Sequence, residues 1–262
     1  MSRFGAYEWD ESLVEIYDAF YDFRKDIDFF VGYSRKIRGK TLELGCGAGR
    51  VLIPTAIAGY EITGLDISPF MLKKCQEKID RQPKKVQELI RIVEGNMVDF
   101  DIGERFSLVT TPFRPFQHLI STEEQKSCLQ CVHRHLDVGG FLILDLFHPF
   151  LPALYEPNYQ VETEDFAERK LPDGREIRRT QKSPVIRRDE QYLECEFIYH
   201  VSYPDGRKER HVHSFPFRYF FRYEVEHLLE LSGFRVRELF GNFDRSPFSE
   251  DSPEMIFVAE KK

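Results

Sequence analysis

The residues best suited to chemistry lie in one short stretch and in a partner that follows it. Thr41 to Arg50 reads TLELGCGAGR, an apolar run that contains an acid, Glu43, and then breaks into three alternating glycines, Gly45, Gly47 and Gly49. The apolar segment from Val51 to Ala58 that follows reads as a helix, so the stretch is a strand, a glycine turn and a helix start. Such a turn lets a ligand approach the backbone where a Cβ would block it, and the unpaired N–H groups of the helix start can receive an anion. Nineteen residues beyond Gly47 the next run, Glu61 to Leu65, ends in Asp66, a carboxylate placed to hold a pair of ribose hydroxyls.

Two further groups carry reactive side chains. His118 follows a buried run, Phe106 to Thr111, by a few residues and stands among Phe113, Phe116 and Leu119. An imidazole in apolar surroundings stays neutral and can accept a proton near neutral pH. It reads equally as a residue that caps the next turn. Cys128, Cys131, His133 and His135 have the look of a zinc cluster, but they share a helix whose face must pack on a sheet, and zinc sites usually take two separated ligand pairs. No metal is expected.

The elements that must position these residues alternate strand and helix from Lys40 onward, as in a doubly wound α/β sheet. Ser68 and Pro69 start one helix, and Ser121 or Thr122 starts another that runs to His135. Leu89 to Val93, Phe106 to Thr111 and Val138 to Leu146 read as the third, fourth and fifth strands. Residues 10 to 30 carry apolar side chains near helical spacing, with Asp10 as cap, and read as a helix before the first strand. From His148 to Tyr219 no helix stands out; Arg175 to Lys182, Gln191 to Tyr203 and Arg207 to Arg218 read as strands joined by Asp-Gly turns, an antiparallel insertion after the fifth strand. A helix from Arg222 to Ser232 and strands Phe234 to Phe240 and Met255 to Glu260 return to the sheet.

The dinucleotide pattern G-x-G-x-x-G would require glycine or alanine at position 50, which is Arg50. The pattern here, E-x-G-x-G-x-G, resembles motif I of the class I S-adenosylmethionine-dependent methyltransferases. That resemblance implies a seven-stranded Rossmann-like sheet in residues 1–148 and 220–262, with residues 1–36 as a lid-helix region and 149–219 as the β insertion. It also implies S-adenosylmethionine as cofactor and S-adenosylhomocysteine as product, with Glu43 facing the methionine amino group and Gly45, Cys46 and Gly47 passing under the cofactor. Asp66, Ile67, Met71 and Thr111 join the expected cofactor contacts. Glu94 to Phe100, EGNMVDF, is similar to the family's G-D-M-x-D-[FL] motif, so Asn96 and Met97 are expected at the adenine; an amide oxygen can accept where the family has an acid.

Ile16 to Tyr21 looks like the lid helix of the sugar-nucleotide N,N-dimethyltransferases, which implies cofactor contacts for Tyr17 and Tyr21, with Arg24 toward the methionine carboxylate. The matching histidine in that group stands beside the amine, which makes His118 the expected catalytic residue, with Tyr21, Arg114, Phe116 and His118 toward the acceptor. The expected activity is methyl transfer to a small-molecule amine or hydroxyl. A cofactor-binding protein without turnover, or a methyltransferase of nucleic acid or protein, would carry the same cofactor residues.

Composition narrows these readings. With 262 residues, the chain is long enough for one large domain with an insertion. A net charge of -7 argues against a nucleic-acid partner, no apolar run is long enough to span a bilayer, and the acidic N-terminus does not read as a signal peptide. Five cysteines at irregular spacing suit a reducing compartment, so a cytoplasmic location is expected. The aromatic strands of the insertion read as acceptor-pocket wall, as the interface of a homodimer, or as both.

Overall fold

The computed structural model describes residues 10–20 and 24–262. These form two compact units, one within Phe23–Pro149 and Phe220–Lys262, the other within Met1–Asp22 and Phe150–Tyr219.

The larger unit alternates as its sequence pattern demands: α2 (Ile27–Ile37), β1 (Thr41–Leu44), α3 (Leu52–Ile57), β2 (Ile62–Asp66), α4 (Pro69–Ile79), α5 (Lys84–Gln87), β3 (Ile90–Glu94), β4 (Phe106–Thr111), α6 (Thr122–His135), β5 (Leu136–Phe147), α8 (Arg222–Leu231), β10 (Phe234–Phe240) and β11 (Glu254–Lys261). Seven strands form one sheet in the order β10-β11-β5-β4-β1-β2-β3. The strands β3, β2, β1, β4 and β5 run parallel, and β11 pairs antiparallel with both β5 and β10. β1 and β4, buried along nearly their whole length, sit in the middle, as continuous apolar runs must. Ser68 caps α4 by accepting from the Met71 amide, and Ser121 and Glu124 close a capping box on α6. One core gathers Phe29, Phe30, Tyr33, Val51, Leu108, Ile143 and Val258; a second gathers Leu52, Ile53, Ile62, Leu72, Cys75 and Ile79.

The smaller unit holds α1 (Glu11–Phe20), a short α7 (Leu151–Tyr155), and β6 (Thr163–Lys170), β7 (Glu176–Arg187), β8 (Tyr192–Ser202) and β9 (Lys208–Arg218), an antiparallel sheet in chain order. Leu13, Ile16 and Phe20 of α1 pack with Leu171, Ile177, Tyr199 and Val201 of that sheet. The helix read over residues 10–30 is therefore two helices. Its apolar stripe is divided between two cores, α1 serving the insertion sheet and Ile27, Phe29 and Phe30 serving the larger unit. β6 and α7 were not read from the sequence. β6 is largely exposed, so it lacks the alternation that marks a strand, and α7 is five residues long with Pro152 in its first turn. All five cysteines are free, and no helix among the described residues is long and apolar enough to cross a membrane.

Candidate functional site

The strand order reverses between β1 and β4, and in sheets of this kind the crevice beyond the carboxyl ends at such a point receives the ligand. The glycine turn after β1 stands there. Gly45 and Cys46 donate their amides to the Leu65 carbonyl at 2.8 and 3.1 Å, and the Gly47 amide donates to Asp66 Oδ2 at 2.7 Å. Asp66 Oδ1 accepts from the Ser68 amide at 2.9 Å, so one carboxylate ties the turn to the start of α4. The three glycines have different reasons. A Cβ on Gly45 would lie 2.6 Å from Pro115 Cβ, and one on Gly49 would lie 2.8 Å from Cys75 Sγ; both are glycines of close packing. A Cβ on Gly47 would meet only Met71 Sδ, at 3.9 Å, so Gly47 borders open space.

Glu43 is 2% exposed, paired across the sheet with Gly64 and Thr110, and its Oε2 has no hydrogen-bond partner. Burial pushes its pKa up to about 8; the nearby Arg50 charge lowers it, and Asp26 and Asp66 raise it. Arg50 itself forms a two-pronged ion pair with Asp26, at 2.5 and 2.7 Å, and Asp26 is completely buried ahead of α2. Its guanidinium also lies 5.1 Å from the centre of the Phe113 ring. Sequence reasoning used Arg50 only to exclude a dinucleotide pattern and missed Asp26, because a pair separated by a helix and a strand leaves no local spacing signal.

The loop after β4 is the other wall. Phe113 and Arg114 both take left-handed backbone, with φ of 65° and 67°, a conformation costly for side chains of this size. The Phe113 amide donates to Asp145 Oδ2 at 2.9 Å, and Arg114 is ion-paired with Glu254 while its guanidinium lies against the Phe113 and Phe147 rings. Asp145 is fully buried, its Oδ1 has no partner, and burial raises its pKa to about 7. Burial likewise raises Glu254. Neither acid was singled out from the sequence; the one legible hint was an acid at the end of the apolar run Phe141 to Leu144.

The other expected residues fall as follows. His118 is half-buried at the end of a single turn of 3-10 helix, Pro115–His118. Phe116 is wholly buried with its ring near that of Phe220, and the half-buried Arg114 is engaged by Glu254. Thr111 is 1% exposed, its hydroxyl donating to the Ile143 carbonyl at 3.4 Å and accepting from the Asp145 amide at 3.2 Å; it serves the sheet. Cys46 and Met71 are buried, and Ile67 and Met97 are half-buried. Asn96 Oδ1 accepts from the Val98 amide at 3.1 Å, which leaves that oxygen a second lone pair. Tyr17 is half-buried on α1 in the smaller unit, Arg24 is exposed, and Tyr21 lies outside the described residues. Cys128 and Cys131 are buried, and His135 bonds the Cys131 carbonyl and the Ile102 amide. His133 stands edge-on to Phe234.

These residues fit a cationic nucleoside. The partnerless Glu43 oxygen suits an ammonium group, and the open space over Gly47 leaves room beside it. Residues 41–140 match a family model described as a methyltransferase domain. The cypemycin N-terminal methyltransferase of a Streptomyces species is 24% identical over 97% of this chain and 98% of its own. The dTDP-3-amino-3,6-dideoxy-alpha-D-glucopyranose N,N-dimethyltransferase of Streptomyces fradiae is 24% identical over 87% of this chain and 86% of its own. In fold, the chain is similar to the CcbJ methyltransferase from Streptomyces caelestis, with a TM-score of 0.78, 24% identity and 98% of each chain covered.

Proposed function

We propose that the chain, whose residues 41–140 match a methyltransferase-domain model, transfers a methyl group from S-adenosylmethionine to a small-molecule amine or hydroxyl. The observation that carries the reading is the buried Glu43 carboxyl with a partnerless oxygen at the carboxyl end of β1. Bound there, the cofactor supplies an electrophilic methyl group on a sulfonium. Glu43 would accept from its ammonium group, Asp66 from the ribose hydroxyls and the Asn96 amide oxygen from the adenine, with Ile67, Met71, Met97 and the Gly45-Cys46-Gly47 backbone as the further residues that would hold it.

In-line displacement needs little covalent help, so positioning and exclusion of water supply most of the acceleration. An amine acceptor must reach the methyl group neutral. His118, at the end of the loop after β4, accepts its proton. The relatives support nitrogen as the acceptor atom: one is an N,N-dimethyltransferase of an amino sugar nucleotide, one an N-terminal methyltransferase, and structural neighbours include a glycopeptide N-methyltransferase. The exposed Phe150, Leu151, Tyr155 and Val161 of the smaller unit offer a surface for pairing of two copies, and the free cysteines suit the cytoplasm. Incubation with S-adenosylmethionine and a panel of small amines and alcohols tests the activity. Release of S-adenosylhomocysteine that depends on one acceptor is expected; cofactor binding without turnover on any member would leave a binding protein.

A further inference from the structure

The loop after β4 is bent where bending is costly, and it is held at three points. Phe113 and Arg114 are consecutive residues with positive φ, neither of them glycine, and such backbone persists only where its surroundings over-determine it. The holding groups come from β5 and β11. The strand period places Asp145 and Phe147 on one face of β5, and the antiparallel register sets Glu254 of β11 across from Phe147. Asp145 Oδ2 accepts from the Phe113 amide at 2.9 Å. Arg114 donates to Glu254 from two nitrogens, and its guanidinium lies 5.6 Å from the centre of the Phe147 ring. The Phe147 amide donates to Gln117 Oε1 at 2.6 Å, which fixes the single turn that ends in His118. Between these tethers stands Pro115. A Cβ on Gly45 would lie 2.6 Å from Pro115 Cβ, so the loop rests directly on the glycine turn. Asp145 is 1% exposed, yet its Oδ1 has no partner among the described residues, a cost to the fold that an apolar side chain would avoid.

Resting on the cofactor site proposed above, we infer that Asp145 and Glu254 are positioning residues: they hold the Phe113–Arg114 bend that seats Pro115 on Gly45, and so keep the glycine turn in the shape that receives the cofactor. Neither acid touches the cofactor in this role. Asp145 acts through the Phe113 amide, Glu254 acts through the Arg114 guanidinium, and both reach the turn through one proline contact. The turn beneath the cofactor and the loop beside the acceptor are thereby set together. Release of the bend frees Pro115 from Gly45, and both walls lose their geometry at once. The unpartnered oxygen of Asp145 is tolerated because the other oxygen holds strained backbone, which an apolar side chain cannot do.

The test combines calorimetric binding of S-adenosylhomocysteine, thermal melting and amide hydrogen exchange over residues 112–118. Asp145→Leu removes the tether and a buried carboxyl group together, so its melting temperature is expected to stay level or rise. Its affinity for S-adenosylhomocysteine is expected to fall about tenfold, as coupling through packed contacts allows, with faster exchange at the Phe113 amide. Asp145→Asn keeps an oxygen for that amide and is expected to retain wild-type exchange and most of the affinity. Glu254→Leu with Arg114→Met, which leaves no unpaired ion, is expected to lose affinity as Asp145→Leu does. Glycine accepts positive φ without strain, so in a Phe113→Gly background Asp145→Leu is expected to cost less affinity than in the wild type. Should Asp145→Leu not fold, Asp145→Ala carries the same expectation of lost affinity and faster exchange that Asp145→Asn does not share. Wild-type affinity in Asp145→Leu, unchanged exchange at Phe113, or equal loss in Asp145→Asn overturns the inference while leaving the cofactor site standing. Failure of the wild type to bind S-adenosylhomocysteine overturns the site itself, and the inference with it.

Discussion

A buried carboxyl group with an oxygen left unpartnered destabilises the fold when it ionises, and Glu43, whose Oε2 has no partner, is such a group. Its folded pKa is raised from 4.5 to about 8, so the folded state holds the proton more tightly than the unfolded chain does. The associated stability is complete below pH 4.5 and is lost as pH rises toward about 8; Asp145, raised to about 7, acts in the same direction. The melting temperature of the cofactor-free protein is expected to fall between pH 5 and 8, and Glu43→Gln should flatten that fall while weakening cofactor binding. A fall left unchanged by the substitution would move its origin elsewhere. Asp66→Ala is expected to weaken S-adenosylhomocysteine binding by about 1.5 to 3 kcal/mol, the range for a hydrogen bond to a charged group, as measured by calorimetry. With an acceptor in hand, His118→Asn should lower kcat by roughly a hundredfold or more with cofactor affinity intact. Wild-type kcat and pH profile in that variant would leave positioning as the whole mechanism. Glu43 and Asp66 were legible because their distances from the glycines are local spacings. Asp26, Asp145 and Glu254 were not, because their partners are brought to them by the sheet.

At the scale of the element, the glycine turn separates ligand approach from packing. Gly47→Ala places its Cβ in open space and should fold at a cost of about 1 to 2 kcal/mol for left-handed backbone, with a marked loss of cofactor affinity. Gly49→Ala drives its Cβ into Cys75 and Ile53, so denaturant melts should find it the more damaging of the two to stability. The reverse ranking would mean that Gly49 is the residue beneath the cofactor. The sequence announced this strand-turn-helix unit clearly, since periodic apolar runs bounded by glycine and by capping serines state their own limits. It failed where an element lacks a buried face, as in β6, and where one apolar stripe serves two cores, as in residues 10–30.

For the whole molecule, the alternation of strand and helix was enough to read a doubly wound sheet and to place an antiparallel insertion after its fifth strand, and the observed strand order agrees. The allegiance of α1 to the insertion sheet was not legible, because Leu13, Ile16 and Phe20 are as suitable for one apolar partner as for another. The crevice between β1 and β4 is expected to receive S-adenosylmethionine. Its most direct test is a calorimetric titration of the wild-type protein with S-adenosylhomocysteine and, separately, with NAD. Saturable binding of S-adenosylhomocysteine at one site per chain, with NAD bound more weakly or not at all, is the expected result; tighter binding of NAD would contradict it.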